Sequence, residues 1–221
     1  MKQFILFFFA TTLLCQGQII DFPDPNFKNA LLNHSPVIDT NGDGEIQIFE
    51  AEDYNGSILI ADKNISDLTG IEYFIRILQL DVRNNNLAEL DLSNLYEVYY
   101  IYADNNQLVN VNLPNSDGVF AVYIANNYLT ELDLTSYPDL SGLRVSYNEL
   151  TSLDLHPDAR FNYLECDNNQ LTNLDLSGMS GTLFGLNCSN NQLTELDLSM
   201  LPHLNLILCA NNQLTQINLP V

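Results

Sequence analysis

The stretch Asn190-Asn191-Gln192-Leu193-Thr194-Glu195-Leu196-Asp197-Leu198-Ser199 decides the fold, because close copies of it recur along the chain. The leucine of each Asn-x-Leu marks one copy: Leu87, Leu108, Leu129, Leu150, Leu171, Leu193 and Leu214. Successive markers lie 21, 21, 21, 21, 22 and 21 residues apart. A fixed period in this range indicates a solenoid of stacked repeats.

Apolar residues upstream of each Asn complete the pattern. The first full copy consists of Ile77, Leu80, Val82, Asn85 and Leu87. This spacing is L-x-x-L-x-L-x-x-N-x-L, the leucine-rich repeat pattern. It predicts a mainly β, right-handed leucine-rich repeat solenoid with a parallel concave sheet and a small helical N-terminal cap. We expect an atypical first coil and then about seven repeats of 21–22 residues within residues 56–221.

The repeated Asn has a scaffold role in this interpretation. Its side chain carries both an acceptor and a donor pair, so it can satisfy backbone groups in the bend after each strand. The half-repeat that follows, such as Leu90-Asp91-Leu92-Ser93, returns the chain on the convex side. We expect extended or 3₁₀ segments there and solvated acids. A calcium ladder is the alternative, but the Gly-rich signature of such ladders is missing.

The N-terminal residues 1–17 are typical of a secretory signal. Lys2 precedes an apolar run from Phe4 to Leu14, and Cys15-Gln16-Gly17 permits cleavage before Gln18. A lipoprotein acylated on Cys15 is the alternative. Either route predicts a secreted or cell-surface protein. The run is too short to span a membrane, and no later run is long enough.

Charge excludes some partners. The chain has 28 acidic and 7 basic residues, and loss of Lys2 with the signal would leave a net charge of −22. Such a surface repels nucleic acid and anionic lipid, and the sequence contains no basic patch to overcome this repulsion.

Residues 18–55 precede the repeats and form the predicted cap. Asp24-Pro25 is typical of a helix start, and Phe27, Ala30 and Leu31 mark one helix face. The segment 39–50 then matches the EF-hand loop pattern D-x-[DN]-x-[DN]-G-x5-E. The expected ligands of one structural Ca²⁺ are Asp39, Asn41, Asp43, Glu45 (through its carbonyl), Gln47 and Glu50. The alternative is an acidic turn that binds no metal.

Three cysteines, Cys166, Cys188 and Cys209, occupy the same inward position in three repeats. We interpret them as small core residues stacked on one another rather than as a disulfide or a metal site.

The concave face carries the predicted ligand site. Positions between the inward residues of each strand face this side. Tyrosines and one arginine cluster there, and the predicted ligand-binding residues are Tyr100, Tyr102, Tyr123, Arg144 and Tyr163. Exposed Tyr is a common anchor in recognition surfaces, although aromatic residues also favour strands.

Catalysis is not predicted, because His34, His156 and His203 lie in unrelated segments without a nucleophile motif. The favoured function is recognition of an extracellular protein. The alternatives are a carbohydrate-binding surface protein and a spacer for a further C-terminal domain.

The segment Asn64-Ile65-Ser66-Asp67-Leu68-Thr69-Gly70-Ile71, followed by short repeats, resembles internalin-like bacterial leucine-rich repeat proteins. The residues 38–46 resemble the N-terminal segment of secreted members of that group. The resemblance implies an extracellular or surface-attached binding protein, and it supplies no binding residues. Unlike many members, the chain stops at Val221 with neither a polar cap nor a sorting domain, so we expect an exposed last coil.

Overall fold

A computed structural model describes residues 17–179 and 183–220. The predicted signal sequence lies outside the described residues, apart from Gly17. The first helix, α1, is Pro25–Leu32, the second, α2, is Ile48–Asp53, and a 3₁₀ turn covers Ile71–Tyr73. Neither helix exceeds eight residues, so the described part of the chain holds no helix suited to crossing a bilayer.

Fourteen short strands build the described part of the solenoid. They are β1 Ser57–Leu59, β2 Gln79–Asp81, β3 Glu89–Asp91, β4 Tyr100–Tyr102, β5 Asn110–Asn112, β6 Ala121–Tyr123, β7 Asp133–Leu134, β8 Gly142–Arg144, β9 Asp154–Leu155, β10 Tyr163–Glu165, β11 Gly185–Asn187, β12 Glu195–Asp197, β13 Leu206–Leu208 and β14 Gln216–Asn218.

One parallel sheet of eight strands runs along the whole solenoid, in the order β1-β2-β4-β6-β8-β10-β11-β13. The return segments pair only in twos, as β3–β5, β7–β9 and β12–β14. The predicted leucine-rich repeat solenoid with a parallel concave sheet is confirmed. The return segments are extended, with one 3₁₀ turn in the first coil, as the alternation of Asp and Leu predicts.

The core lies between the concave sheet and the return segments. Inward residues such as Leu80, Ile101 and Val122 are fully buried. Cys166 and Cys188 are buried in the same core, Cys209 is half-buried, and all three are free thiols. Burial raises the pKa of the Cys188 thiol to about 12, so this side chain stays a neutral packing group.

The buried Asn of each repeat bonds two coils together. Asn106 donates to the carbonyls of Ala103 in its own coil and Val82 in the preceding coil, at 3.1 and 3.0 Å. Its Oδ1 accepts from the N–H of Leu87 at 3.1 Å. The same contacts recur at Asn127, and the predicted scaffold role is confirmed.

Asp24 joins the cap to the first coil. Its Oδ1 accepts from the N–H groups of Asn26 and Phe27 at the start of α1, at 2.8 and 3.1 Å. Its Oδ2 accepts from the N–H and hydroxyl of Ser66, at 2.7 and 2.9 Å. As the sequence predicts, α1 buries Phe27, Ala30 and Leu31.

The open edge of β1 is covered by two cap side chains. His34 Nε2 accepts from the N–H of Leu59 at 3.1 Å, and the Tyr54 hydroxyl donates to the carbonyl of Ser57 at 2.9 Å. At the other end of the solenoid, Ile217 and Leu219 in the last coil are exposed.

Candidate concave surface and calcium loop

The middle of the concave sheet places the predicted site residues in register. Tyr102 of β4 lies beside Tyr123 of β6, which lies beside Arg144 of β8. Asp81 of β2 and Glu165 of β10 flank this row. Neighbouring strands of a sheet are ~4.8 Å apart, so the five positions span roughly 19 Å across the concave face.

Aromatic rings and guanidinium groups pack on each other along this row. The rings of Tyr102 and Tyr123 meet edge-on with centroids 5.2 Å apart. Arg144 lies over the Tyr123 ring with its Cζ 5.0 Å from the ring centroid, and Arg83 lies over Tyr102 at 5.4 Å. Edge-on aromatic pairs and cation–π contacts are both favourable at these distances. We call Arg83, Tyr102, Tyr123 and Arg144 the aromatic row.

Carboxylates hold both arginines of the aromatic row. Asp81 accepts two hydrogen bonds from Arg83, at 2.9 and 2.6 Å. Arg144 lies between Asp104 at 3.8 Å and Glu165 at 3.5 Å. The repeat pattern does not predict these three ion pairs. Arg144 is therefore a compensated charge that orients the Tyr123 ring, rather than a free positive centre.

Asp104 is a buried acid of this surface, with 4% of its area exposed. Burial raises the pKa of its carboxyl, while the N–H of Ala125 and then Arg144 and Arg83 lower it, and the net direction is upward. Burial also raises the pKa of Tyr102, next to Tyr123. The Tyr102 phenol therefore stays a neutral donor and acceptor at neutral pH.

The other predicted residues lie beside the aromatic row. Tyr100 packs edge-on against Phe120 with centroids 5.7 Å apart. Tyr163 covers Gly185 of the next strand, so closely that a Cβ there would lie 2.4 Å from its ring. Arg83 and Phe120 are not among the predicted ligand-binding residues. Phe120 immediately precedes β6, outside the alternating positions that indicate concave residues.

The predicted calcium loop is closed by hydrogen bonds of its own side chains. Asp39 accepts from the N–H groups of Gly42 and Gly44, at 2.8 and 2.9 Å. Glu50 Oε1 accepts from the N–H of Thr40 at 2.7 Å, and its Oε2 accepts from the N–H of Gln47 at 3.1 Å. Gly42 and Gly44 have φ values of +72° and +82°, a backbone region that favours glycine.

The loop brings most of the predicted ligands together. Gln47 accepts from the Asn41 amide at 2.8 Å and donates to Asp43 at 3.0 Å, while the carboxylate of Glu45 pairs with Lys28 on α1. The N–H of Glu45 is the main group that lowers the pKa of Asp43.

An oxygen-only donor set fits the chemistry of Ca²⁺. Within residues 17–179 and 183–220, however, no three acidic, histidine or cysteine side chains stand close enough to ligate a metal as placed.

Comparison with solved structures supports an internalin-like leucine-rich repeat fold. The functional domain of InlJ from Listeria monocytogenes, which includes a cysteine ladder, is 26% identical, with a TM-score of 0.52 over 90% of this chain and 54% of that chain. Internalin C2 from Listeria monocytogenes is 21% identical, with a TM-score of 0.67 over 88% of this chain and 87% of that one.

YopM from Yersinia pestis, a leucine-rich effector protein, is 26% identical, with a TM-score of 0.57 over 73% of this chain and 51% of that chain. The chain thus spans about half the length of the InlJ and YopM chains. No protein-family model matches the sequence, and no curated protein sequence does either.

Proposed function

We propose that this leucine-rich repeat solenoid is a recognition module that binds a protein partner on its concave face. The observation that carries the proposal is the aromatic row, in which two tyrosine rings and two arginines pack together on the concave, solvent-facing side of the sheet. Tyr and Arg are the residue types that most often dominate binding energy in protein interfaces. The extended concave surface of a solenoid is the face that such proteins use for binding.

Packing within the aromatic row supports recognition rather than simple strand formation. Each ring and guanidinium is held by a neighbour, so little side-chain freedom remains to be lost on binding. Binding normally costs ~0.5–1.5 kcal/mol for every flexible side chain that it immobilises. A surface that is already ordered avoids much of this cost. The ion pairs of Arg83 and Arg144 hold the row in place from both ends.

The test begins with a displayed library of folded protein domains selected on the mature chain. We expect Tyr102→Ala and Tyr123→Ala each to weaken the binding of a selected domain by roughly thirtyfold, about 2 kcal/mol. Both side chains lie on the solvent-facing, concave side of the sheet, so the melting temperature should change little. Surface plasmon resonance and thermal melts measure the two effects.

Convex variants serve as the control. Glu131 and Asp154 lie on the return side, where Glu131→Ala and Asp154→Ala should leave the affinity within twofold. Wild-type affinity in both tyrosine variants, or larger losses of affinity in the convex pair, would mean that the concave aromatic residues only stabilise strands.

The predicted calcium site and export are further parts of the proposal. Ca²⁺ held by the loop of residues 39–50 would join α1 to α2 and stabilise the cap. Export rests on Lys2 and the apolar run of residues 4–14. If the signal is cleaved, the mass of the exported protein corresponds to a chain that starts at Gln18. A mass that retains Cys15 with acyl chains would identify a lipoprotein, and a retained leader would contradict both routes.

A further inference from the structure

A notch of about 320 Å³ opens on the concave face, and Tyr102, Tyr123 and Arg144 of the aromatic row form part of its lining. Its floor consists of two small residues in register on neighbouring strands, Ala121 of β6 and Gly142 of β8. Its walls include Tyr100, Phe120 and Tyr163, all of which are exposed. The space equals the volume of about ten water molecules at ~30 Å³ each, which suits one large side chain rather than a helix or a strand.

Gly142 lets the Tyr123 side chain lie close to the strand at the edge of the notch. A Cβ at this position would lie 3.0 Å from the Tyr123 hydroxyl and 3.1 Å from the Ala121 Cβ. Any larger residue would therefore push against the Tyr123 side chain and narrow the notch. The edge-on pair of Tyr100 and Phe120 presents ring surface at the opposite wall. A further aromatic ring can pack against such a wall in an offset or edge-on arrangement.

Carboxylates surround this aromatic space without a free positive charge inside it. Glu165 lies on the rim of the notch, and the adjoining groove behind Tyr100 and Phe120 is bordered by Asp139 and Asp158 with one arginine, Arg160. Arg144 is already paired with Asp104 and Glu165. The whole chain has a net charge of −21, so the long-range field also favours a cationic partner.

We propose that the notch over Ala121 and Gly142 binds one aromatic side chain of the protein partner, and that Lys or Arg residues flank this side chain. The proposal rests on the function proposed above and specifies the partner of the same face. The ring packs between the Tyr100–Phe120 pair and Tyr163. The flanking basic groups meet Glu165 on one side and Asp139 and Asp158 on the other.

The test uses a random library of 12-residue peptides displayed on phage and selected on the mature chain. We expect the enriched peptides to contain an aromatic residue with Lys or Arg within two positions of it. Titration calorimetry with synthetic copies of the enriched peptides should show at least a tenfold loss of affinity for Gly142→Leu, whose side chain narrows the notch. The matched control is Asn187→Leu, which adds the same side chain to the concave face two strands away and should change affinity less than twofold.

Two further measurements use a second protein variant and altered peptides. If Gly142→Leu lowers the melting temperature strongly, Tyr100→Ala removes a wall of the notch at an exposed position and should weaken binding at least fivefold. Replacing the basic residues of the peptide by Glu should cost at least tenfold, and this difference should shrink in high salt.

The outcomes separate this proposal from the function on which it rests. If Tyr102→Ala weakens peptide binding but Gly142→Leu and Tyr100→Ala do not, the notch is not the binding site, and the proposed recognition on the concave face still stands. Insensitivity to every concave variant would overturn both. Enrichment of peptides without aromatic residues would also contradict the proposal. The proposal would also be contradicted if methyl glucoside displaced the peptides and if Gly142→Leu weakened its binding as much as it weakens theirs. That result would identify a sugar subsite.

Discussion

At the residue scale, the first Asn of each Asn-Asn pair has its own conformational task. The chain turns there with φ between 54° and 58°, at Asn84, Asn105, Asn126, Tyr147, Asn168, Asn190 and Asn211. Asn tolerates this left-handed region better than other residues with a side chain. Neighbouring coils also bond through these residues, as when Asn105 donates to Asn84 at 2.8 Å. Tyr147 alone departs from Asn among the seven positions.

Tyr147→Asn should therefore stabilise the protein by about 1 kcal/mol, because Asn relieves the cost that a bulky residue pays in this region. Urea unfolding of both proteins measures the difference. The control is Tyr128→Asn at another exposed tyrosine, outside the positive-φ positions, which should be neutral or slightly destabilising. A loss of stability in Tyr147→Asn would show that the ring contributes more than the backbone strain costs.

These asparagines show how far the sequence predicts individual residues. The spacing of apolar residues identifies which side chains point inward, so the buried Asn ladder is predictable from its donor and acceptor groups. The left-handed turn at the preceding Asn is a backbone property that side-chain periodicity does not encode. The ion pairs of Arg83 and Arg144 also escape prediction, because they depend on side-chain rotamers that the repeat pattern does not encode. For the same reason Phe120 was not predicted beside Tyr100.

At the element scale, the joint between α1 and the first coil depends on Asp24. Burial raises the pKa of Asp24, but N–H groups led by those of Ser66 and Phe27 outweigh it, so the net pKa is lowered. A lowered folded-state pKa means that the carboxylate contributes stability above its ordinary value of ~3.9. That contribution is lost as the pH falls through the lower, folded-state pKa.

Asp24→Ala should cost about 3 kcal/mol at pH 7, since it removes a helix cap and leaves N–H groups unpaired. Thermal melts of the wild type and Asp24→Asn between pH 2 and 7 test the linkage. The difference between their melting temperatures should be constant above about pH 5 and shrink below about pH 4. The control Asp21→Asn, near the same joint, should change the melting temperature little. A separation that grows on acidification would contradict the assignment.

The calcium loop gives the second prediction for an element. Ca²⁺ should raise the melting temperature, because it would bind the folded loop only, with a dissociation constant of ~10⁻⁴–10⁻³ M. At 100 times that constant the gain is ~2.7 kcal/mol. Calorimetry with calcium and with chelator measures the shift, and Asp39→Ala or Glu50→Ala should abolish it. Asp67→Ala, outside the loop, is the control. No calcium-dependent shift in the wild type would refute the site.

The elements themselves vary in how far the sequence predicts them. The start of α1 and its buried face are predictable, because Asp24-Pro25 and the spacing of Phe27, Ala30 and Leu31 encode both. The covering of β1 by Tyr54, which is 3 residues from Ser57, and by His34, which is 25 residues from Leu59, appears only in the folded chain. The EF-hand loop pattern predicts the oxygen ligands of a metal. The hydrogen bonds from Gln47 to Asp43 and from Asn41 to Gln47 depend on side-chain rotamers, which the pattern does not encode.

At the scale of the whole molecule, the two sides of the solenoid differ in chemistry. The concave side combines tyrosine rings, compensated arginines and a small-residue notch. The convex side carries aspartates that hydrogen-bond to the following Ser or Thr, as Asp133 does with Thr135, whose hydroxyl and N–H lower the pKa of Asp133. Solvated acids of this kind keep a surface soluble. This difference agrees with the proposal that the concave face is the binding surface.

Site-specific photocrosslinking tests this division most directly. Benzoylphenylalanine is placed at Tyr102 or at Tyr123, and in separate proteins at the convex positions Glu131 and Asp154. Each protein is irradiated with a domain selected on the unmodified chain. We predict covalent adducts from at least one concave position and none from the convex positions. Adducts from Glu131 or Asp154, with none from Tyr102 and Tyr123, would contradict the account.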